Sequence, residues 1–344
     1  MSHMADEIRQ APEVVARLLT EGRRAIRTAA RAISRARPLW VAIAARGTSD
    51  HAAVYARYLI EGILGIPVVL VAPSINTVYE SRHSWSDGLL ISISQSGRSP
   101  DLLAVLEAAR QRGRPTIAIT NDTRSPLADG SDFVIDCLAG VEESVAATKT
   151  YVGSLAALAS LVEGLNPTVS FDTSSLPEMA QRTLEVSDRW VEDSGVVDSF
   201  AAAAGSLTIG RGYNYATALE VALKLIETSR RFSIGYSAAD FEHGPMVLAQ
   251  DGTPVLFIQS PGSMGVRTRP LRQRLVGSGC NVWTVTTEPV SPPNQTLFLP
   301  IEVSDEISPI PMVLPGLILA ETAARSLGYD PDAPRGLTKV TKTL

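Results

Sequence analysis

Cysteine is scarce: Cys137 and Cys280 are the only two in 344 residues. Two thiols make neither a disulfide framework nor a four-ligand metal site. Both lie in apolar, strand-like stretches and read as buried thiols, which suits a reducing cytoplasm. An excess of charge of either sign is also lacking. Lys and Arg number 31 against 36 Asp and Glu, a net of -5 with a pI ≈ 5.5. Such a chain has no basic field for a nucleic-acid backbone, so no nucleic-acid partner is expected. No apolar run approaches the roughly 20 residues of a membrane span, and no signal peptide opens the chain. The expected location is therefore the cytoplasm, away from membranes. Neither GxGxxG nor the phosphate loop GxxxxGK followed by Ser or Thr occurs. Dinucleotide and nucleoside-triphosphate chemistry are not indicated, and no cofactor is expected. Histidine is sparse too. His3 belongs to Met1-Ser2-His3, which reads as an expression scar ahead of Met4. His51, His83 and His243 show no metal-ligand spacing, so no metal is expected.

What the chain does have is length for two domains, each with its own core. Residues 5–36 carry apolar side chains at helical spacing (Val14, Val15, Leu18, Leu19, Ile26) and read as one or two amphipathic helices. Short apolar runs then alternate with helical stretches: LWVAIAA from Leu39, PVVLV (67–71), GLLISIS (88–94), PTIAIT (115–120) and FVIDC (133–137). Strands of that kind are parallel and buried on both faces. A helix over Thr148–Leu165, a Ser/Thr/Pro-rich linker at Pro167–Leu176 and a helix over Pro177–Ala204 lead to a second set. Its strands are SLTIG (206–210), PVLFIQS (254–260), NVWTV (281–285) and TLFLPI (296–301), closed by a helix over Ile310–Leu327. The fold class is α/β: two tandem domains, each a doubly wound parallel sheet flanked by helices. The expected divisions are an N-terminal helical segment 5–36, a first domain 37–166, a linker with connecting helices 167–204, a second domain 205–330 and a tail 331–344. The halves look like copies. Gly47 and Gly212 each follow a strand and open a helix; Gln95-Ser96 and Gln259-Ser260 each close a strand; the two offsets are 165 and 164 residues.

Three stretches carry chemistry. Ser94-Gln95-Ser96-Gly97-Arg98-Ser99 closes a strand and precedes a helix that Pro100 can open. Unpaired backbone N–H groups, the helix's partial positive charge, three hydroxyls and an amide make an anion cup there. The alternative is a Ser-rich connection with Ser99 as an ordinary N-cap. Gly47-Thr48-Ser49-Asp50 is the analogous first turn, with a plain N-cap as its alternative. In Leu219–Pro245, Lys224 and Glu227 stand three apart in an apolar helical run, so both heads leave one face. Burial would raise the Glu227 pKa toward a value useful for carbon-acid proton transfer, and Lys224 would tune it the other way. The same spacing also describes a surface ion pair worth about 0.3 kcal/mol. His243, on the turn Glu242-His243-Gly244-Pro245, reads as a general acid/base, with a satisfied structural histidine as the alternative. His51 reads as structural, and His83 has no evident chemical neighbour. The segment Glu143–Lys149 can support sugar hydroxyls, with the Lys149 side chain on the solvated surface. The tail, polar and rich in Pro, Lys and Thr, has the composition of a frayed terminus but contains Lys339.

The motifs ARGTSDHA (45–52), SISQSGRSPD (92–101), EESVAATKTY (142–151), GRGYNYATALEVALKLIE (210–227), EHGP (242–245) and PRGLTKVTKT (334–343) occur in that order. The chain from about Glu7 to its C-terminus resembles the double sugar isomerase (SIS) domain of glucosamine-6-phosphate synthase. It is more similar still to stand-alone SIS proteins that deaminate or isomerise amino-sugar phosphates. The resemblance implies that Ser49, Ser94, Gln95, Ser96 and Ser99 hold a sugar phosphate beside the Gly47-Thr48 turn. It implies that Val145 and Ala147 line the sugar, Ala147 standing where the synthase has Ser. Glu227 would shuttle a proton between C1 and C2, supported by Lys224. His243 would open the pyranose ring from the neighbouring subunit of a homodimer. Lys339, with Thr338 beside it, would reach the open-chain carbonyl. There are departures. No glutaminase domain or N-terminal cysteine nucleophile precedes the first SIS domain, which argues against synthase activity. Ile226 replaces a second Lys, Phe232 and Ile234 replace a His and a Glu, and Glu242 replaces a Lys. The expected function is a deaminase/isomerase acting on glucosamine 6-phosphate. Alternatives on the same residues are dehydration of N-acetylglucosamine 6-phosphate and ketose–aldose isomerisation of another hexose phosphate. Outside catalysis the alternative is a phosphosugar sensor, whose relatives carry a helix-turn-helix module and lack the Glu and His.

Overall fold

The computed structural model describes residues 2–80, 84–166, 168–169, 171–290 and 295–339. His83 and the tail beyond Lys339 lie outside the described residues. Two compact units emerge. One comprises Glu13–Glu142, Lys149–Ser174 and the chain from Thr338; the other comprises the chain up to Pro12, Glu143–Thr148 and Ser175–Leu337.

The first unit is built on five parallel strands: β1 (Trp40–Ala44), β2 (Val68–Leu70), β3 (Gly88–Ser94), β4 (Thr116–Thr120) and β5 (Phe133–Asp136). Their order is β2-β1-β3-β4-β5. Ala42 pairs with Leu90 and Ile91 with Ile117. Alternate side chains leave opposite faces of a strand. Ala42, Leu90 and Ala118 meet Leu102, Val105 and Leu106 of the helix Pro100–Arg110. Val41, Leu89 and Ile91 line a small apolar void with Leu158 and Leu161 of the helix Lys149–Leu165. Helices on both faces are why these strands are continuous apolar runs rather than alternating ones.

The second unit repeats the plan with β6 (Gly205–Gly210), β7 (Phe232–Ser237), β8 (Pro254–Gln259), β9 (Asn281–Thr286) and β10 (Thr296–Phe298). The order is β10-β9-β8-β6-β7, all parallel. With β6 in the place of β1 and β7 in that of β2, the two sheets have one topology. Gly47 and Gly212 share a left-handed φ, 55° and 62°. The internal copying suggested by the residue offsets is thus matched strand for strand.

Some local expectations need correcting. The N-terminal stretch forms three helices, His3–Arg9, Ala11–Thr20 and Arg23–Ala36, rather than one or two. The helix expected over 177–204 is two, Leu176–Asp193 and Val196–Ala202, broken where Gly195 takes φ +81°. β7 has no counterpart in the sequence reading. It is an edge strand whose buried positions include Ser233 and Ser237, while Phe232 is 83% exposed. Polar residues inside and apolar ones outside invert the usual strand pattern.

Candidate active site

In a 2-1-3-4-5 sheet the winding reverses between β1 and β3, and the loops leaving those two strands flank one crevice. These are the 46–49 and 95–99 turns. Ser94 is buried, and its Oγ accepts from the Gly97 N–H at 3.1 Å. Gly97 holds φ +61°, and a Cβ there would lie 2.1 Å from Ser125 Oγ. Only glycine lets the loop pass so close. Ser99 sits at the N-cap of Pro100–Arg110, yet no side chain takes the capping hydrogen bond. The ordinary-cap alternative is therefore not what the geometry shows. The N-cap Gly47 likewise leaves Thr48–Leu59 without a side-chain cap. Two helix N-termini thus present donors and positive dipole ends to the crevice. Arg98 turns outward to Asp122 at 2.7 Å, and its hydrogen bond, with a second from the Arg124 backbone, holds the Asp122 carboxyl below its ordinary value.

Arg46 escaped the sequence reading. Its Nη2 and Nε reach Asp101 Oδ2 at 2.8 and 3.2 Å, tying the loop after β1 to the first turn after β3. Asp101 is buried while the guanidinium is about half exposed, so a cation borders the cup. The signal available was only an Arg before Gly-Thr-Ser and an Asp after Ser-Pro, without a distance. The matching turn of the second sheet is occupied by its own contacts. Asn214 Nδ2 donates to Ser260 Oγ at 3.1 Å and to Ser308 Oγ at 2.7 Å. Asp305, near Ser260, has its pKa raised by burial to about 6.

In the second unit, the helix Asn214–Ser229 is mostly buried. Lys224 is fully buried, with Nζ 2.5 Å from Glu227 Oε2 and 3.4 Å from Glu220 Oε1. Glu220 is also fully buried, whereas the Glu227 side chain keeps about a fifth of its surface exposed. A surface ion pair is thereby excluded: this is a buried ladder of two carboxylates around one ammonium. Burial disfavours the Lys224 charge, but Glu220 and Glu227 outweigh it and push the pKa above its ordinary value. Glu220 is the member missed from sequence, although 220, 224 and 227 form an i, i+4, i+7 stripe that was there to be read. His243 ends the short helix Ala238–Glu242. It is exposed, and among the described residues its ring forms no hydrogen bond, to Glu227 or to anything else. Glu242 pairs with Arg274 at 2.6 Å.

The 143–148 segment belongs to this same unit. Buried Glu7 accepts from the N–H groups of Glu143 (2.5 Å) and Ser144 (3.3 Å), and the Val145 N–H donates to Asp332 O at 2.9 Å. Ser144, Ala146 and Thr148 point inward, and Val145 and Ala147 stay half-exposed on the other side. Lys149 is not on the solvated surface. It is buried, and its Nζ donates to Val141 O, because the helix it begins packs into the core of the first unit. Also in the first unit, Lys339 Nζ meets Glu142 Oε2 at 2.8 Å, and Glu142 accepts from the Thr150 hydroxyl at 2.7 Å. Thr338 is exposed. Both cysteines are free and buried, and burial pushes Cys137 up to about 12. Among the described residues, no three His, Cys, Asp or Glu side chains are grouped as metal ligands, and no helix is long and apolar enough to cross a membrane.

A duplicated, doubly wound α/β scaffold is thus the class of protein. Residues 39–164 and 202–271 match the SIS domain, and the chain belongs to the SIS domain family. The glutamine–fructose-6-phosphate aminotransferase (isomerizing) of Methanothermobacter thermautotrophicus is 34% identical over 311 residues, 87% of this chain and 51% of that protein. The chain spans about half the length of the curated relatives it matches. A Silicibacter pomeroyi structure, described provisionally as a phosphosugar isomerase, is 31% identical with a TM-score of 0.85, covering 96% of this chain and 100% of that one. The glucosamine-6-phosphate deaminase of Thermotoga maritima shares the fold at 23% identity and a TM-score of 0.82, covering 99% and 100%.

Proposed function

We propose that the protein is a phosphosugar deaminase/isomerase acting on glucosamine 6-phosphate. The observation carrying this reading is the Glu220–Lys224–Glu227 ladder. Lys224 is too deeply buried to meet a substrate itself, and Glu227 is the member with an exposed edge. The Lys224 ammonium fixed behind it holds the Glu227 carboxylate in place, which is what a base for a carbon acid requires. In this reading Ser49, Ser94, Gln95, Ser96 and Ser99, with the Gly47-Thr48 turn, hold the phosphate. Val145 and Ala147 flank the sugar. His243 opens the ring; its exposed, unbonded imidazole supports a role in the partner subunit's site of a homodimer. Glu227 takes the C2 proton while the C1 carbonyl oxygen gains one, with Lys339 and Thr338 beside that oxygen. Return of the proton to C1 leaves an imine at C2. Water then hydrolyses it to fructose 6-phosphate and ammonia. The free, buried thiols support a reducing, cytoplasmic location.

A second reading shares the proton abstraction but expels the 3-hydroxyl of N-acetylglucosamine 6-phosphate. It is favoured by apolar surface in place of the family's polar residues: Phe232 is 83%, Ile226 44% and Ile234 44% exposed. Proton NMR in deuterated water decides. Glucosamine 6-phosphate is expected to exchange at C2 and release ammonia, both reduced about 100- to 10,000-fold in Glu227→Gln. Absence of exchange and ammonia with the wild-type protein overturns the first reading. An α,β-unsaturated aldehyde signal from the N-acetylated sugar establishes the second.

A further inference from the structure

The first unit contains a groove that no part of the proposed reaction uses. Its volume is about 420 Å³, within the range of small-molecule sites. One wall is the helix Arg23–Ala36, which presents Arg23 and Arg27 one turn apart. Neither guanidinium has an ion pair or hydrogen bond among the described residues. The first turn of this helix has no acidic residue and no side-chain cap. An arriving anion therefore meets two guanidinium forks and the positive end of a helix dipole.

The other wall differs in chemistry. Ser160 lines the groove and is 9% exposed, and its hydroxyl has no partner. A buried hydroxyl left unpaired is costly, and a ligand that bonds it recovers that loss. Beyond it lie Glu163, which accepts from Thr173 Oγ1 at 2.6 Å and its N–H at 3.4 Å, and Asp172, which accepts from Ser174 Oγ at 2.7 Å and its N–H at 2.9 Å. A carboxylate has about four acceptor sites, so Glu163 retains capacity for hydroxyl groups. Cations on one wall and hydroxyl-binding groups on the other describe the two ends of one ligand type. We propose that this groove binds a small phosphorylated polyol, its phosphate on Arg23 and Arg27 and its hydroxyls on Ser160 and Glu163. None of the 94–99 residues lines it, so occupancy here is independent of the substrate phosphate.

Calorimetric titration with sorbitol 6-phosphate tests this on the full chain carrying Ser96→Ala and Ser99→Ala, which weakens the other phosphate site. Binding is expected to persist in that variant. It is expected to weaken at least tenfold when Arg23→Gln and Arg27→Gln are added, and unphosphorylated sorbitol should bind at least tenfold less tightly than its phosphate. The two arginines are exposed, so the added changes leave folding intact; Ser160→Ala supplies a second variant, expected to weaken binding without altering salt dependence. Loss of all binding in the Ser96/Ser99 variant overturns the proposal. So does an affinity that the arginine changes leave untouched.

Discussion

Replacing Lys224 by Met is the most informative single perturbation. The side chain is fully buried, and its ammonium lies between Glu220, also fully buried, and Glu227. Met fills a similar volume but leaves Glu220 as an unneutralised charge in the core. Removing one partner of a buried ion pair costs about 3–5 kcal/mol, against the roughly 5–15 kcal/mol that holds a domain folded. At about 2–4 °C per kcal/mol for a domain of this size, the transition should fall by roughly 6–20 °C. Circular dichroism melts at neutral pH measure it. The double variant Lys224→Met/Glu220→Gln removes the orphaned charge and should recover more than half of the loss. Because the two carboxylates raise the folded Lys224 pKa above its ordinary value, this stabilisation is complete at neutral pH. It is lost only as pH climbs through the raised value, above about 10.4. A Lys224→Met melt within 2 °C of wild type, or a double variant no better than the single, refutes the buried-ladder account.

Other consequences follow from the same geometry. Ser96→Ala removes one hydroxyl from the proposed phosphate cup; a lost hydrogen bond to a charged group is worth about 1.5–3 kcal/mol, so KM should rise about 10- to 150-fold with kcat little changed, and an unchanged KM would count against the cup. Gly97→Ala forces a Cβ into Ser125 at a left-handed φ. Strain of about 1–3 kcal/mol should lower both the melting transition and phosphate affinity; full retention of both would show that the loop can move aside. His243→Ala and Glu227→Gln should each be inactive alone. Mixed after reversible dissociation, they should regain roughly a quarter of wild-type rate if each His243 serves the partner subunit's site. No regain, with heterodimers demonstrated, would place the histidine's role within its own chain.

Much of the architecture was written locally. GLLISIS is strand β3 residue for residue, since every position of the run is buried, on both faces of the sheet. The 95–99 turn was legible as a tight strand-to-helix connection because Ser-Gln-Ser-Gly between strand and helix restricts the backbone. β7 was not legible: an edge strand satisfies only one ladder and exposes one face, so Phe232-Ser-Ile-Gly carries no apolar run. Side chains that depend on distant partners were equally hidden. Lys149 looked solvated until the helix it begins proved to be core. Nothing near Glu7 in sequence tells that it holds the Glu143 and Ser144 backbone.

The division between the two sources is physical. Periodicity, strand-end glycines and the order of motifs are properties of neighbouring residues, and they sufficed for the fold class, the internal copy and most element positions. Burial and ion pairing are sums over residues far apart in the chain, such as Lys339 with Glu142 and Arg46 with Asp101. Even Lys224 and Glu227, three residues apart, could be read as a surface pair or a buried base with its counter-ion. Only the packing around that helix, which removes water from Lys224 and leaves an edge of Glu227 open, excludes the surface pair.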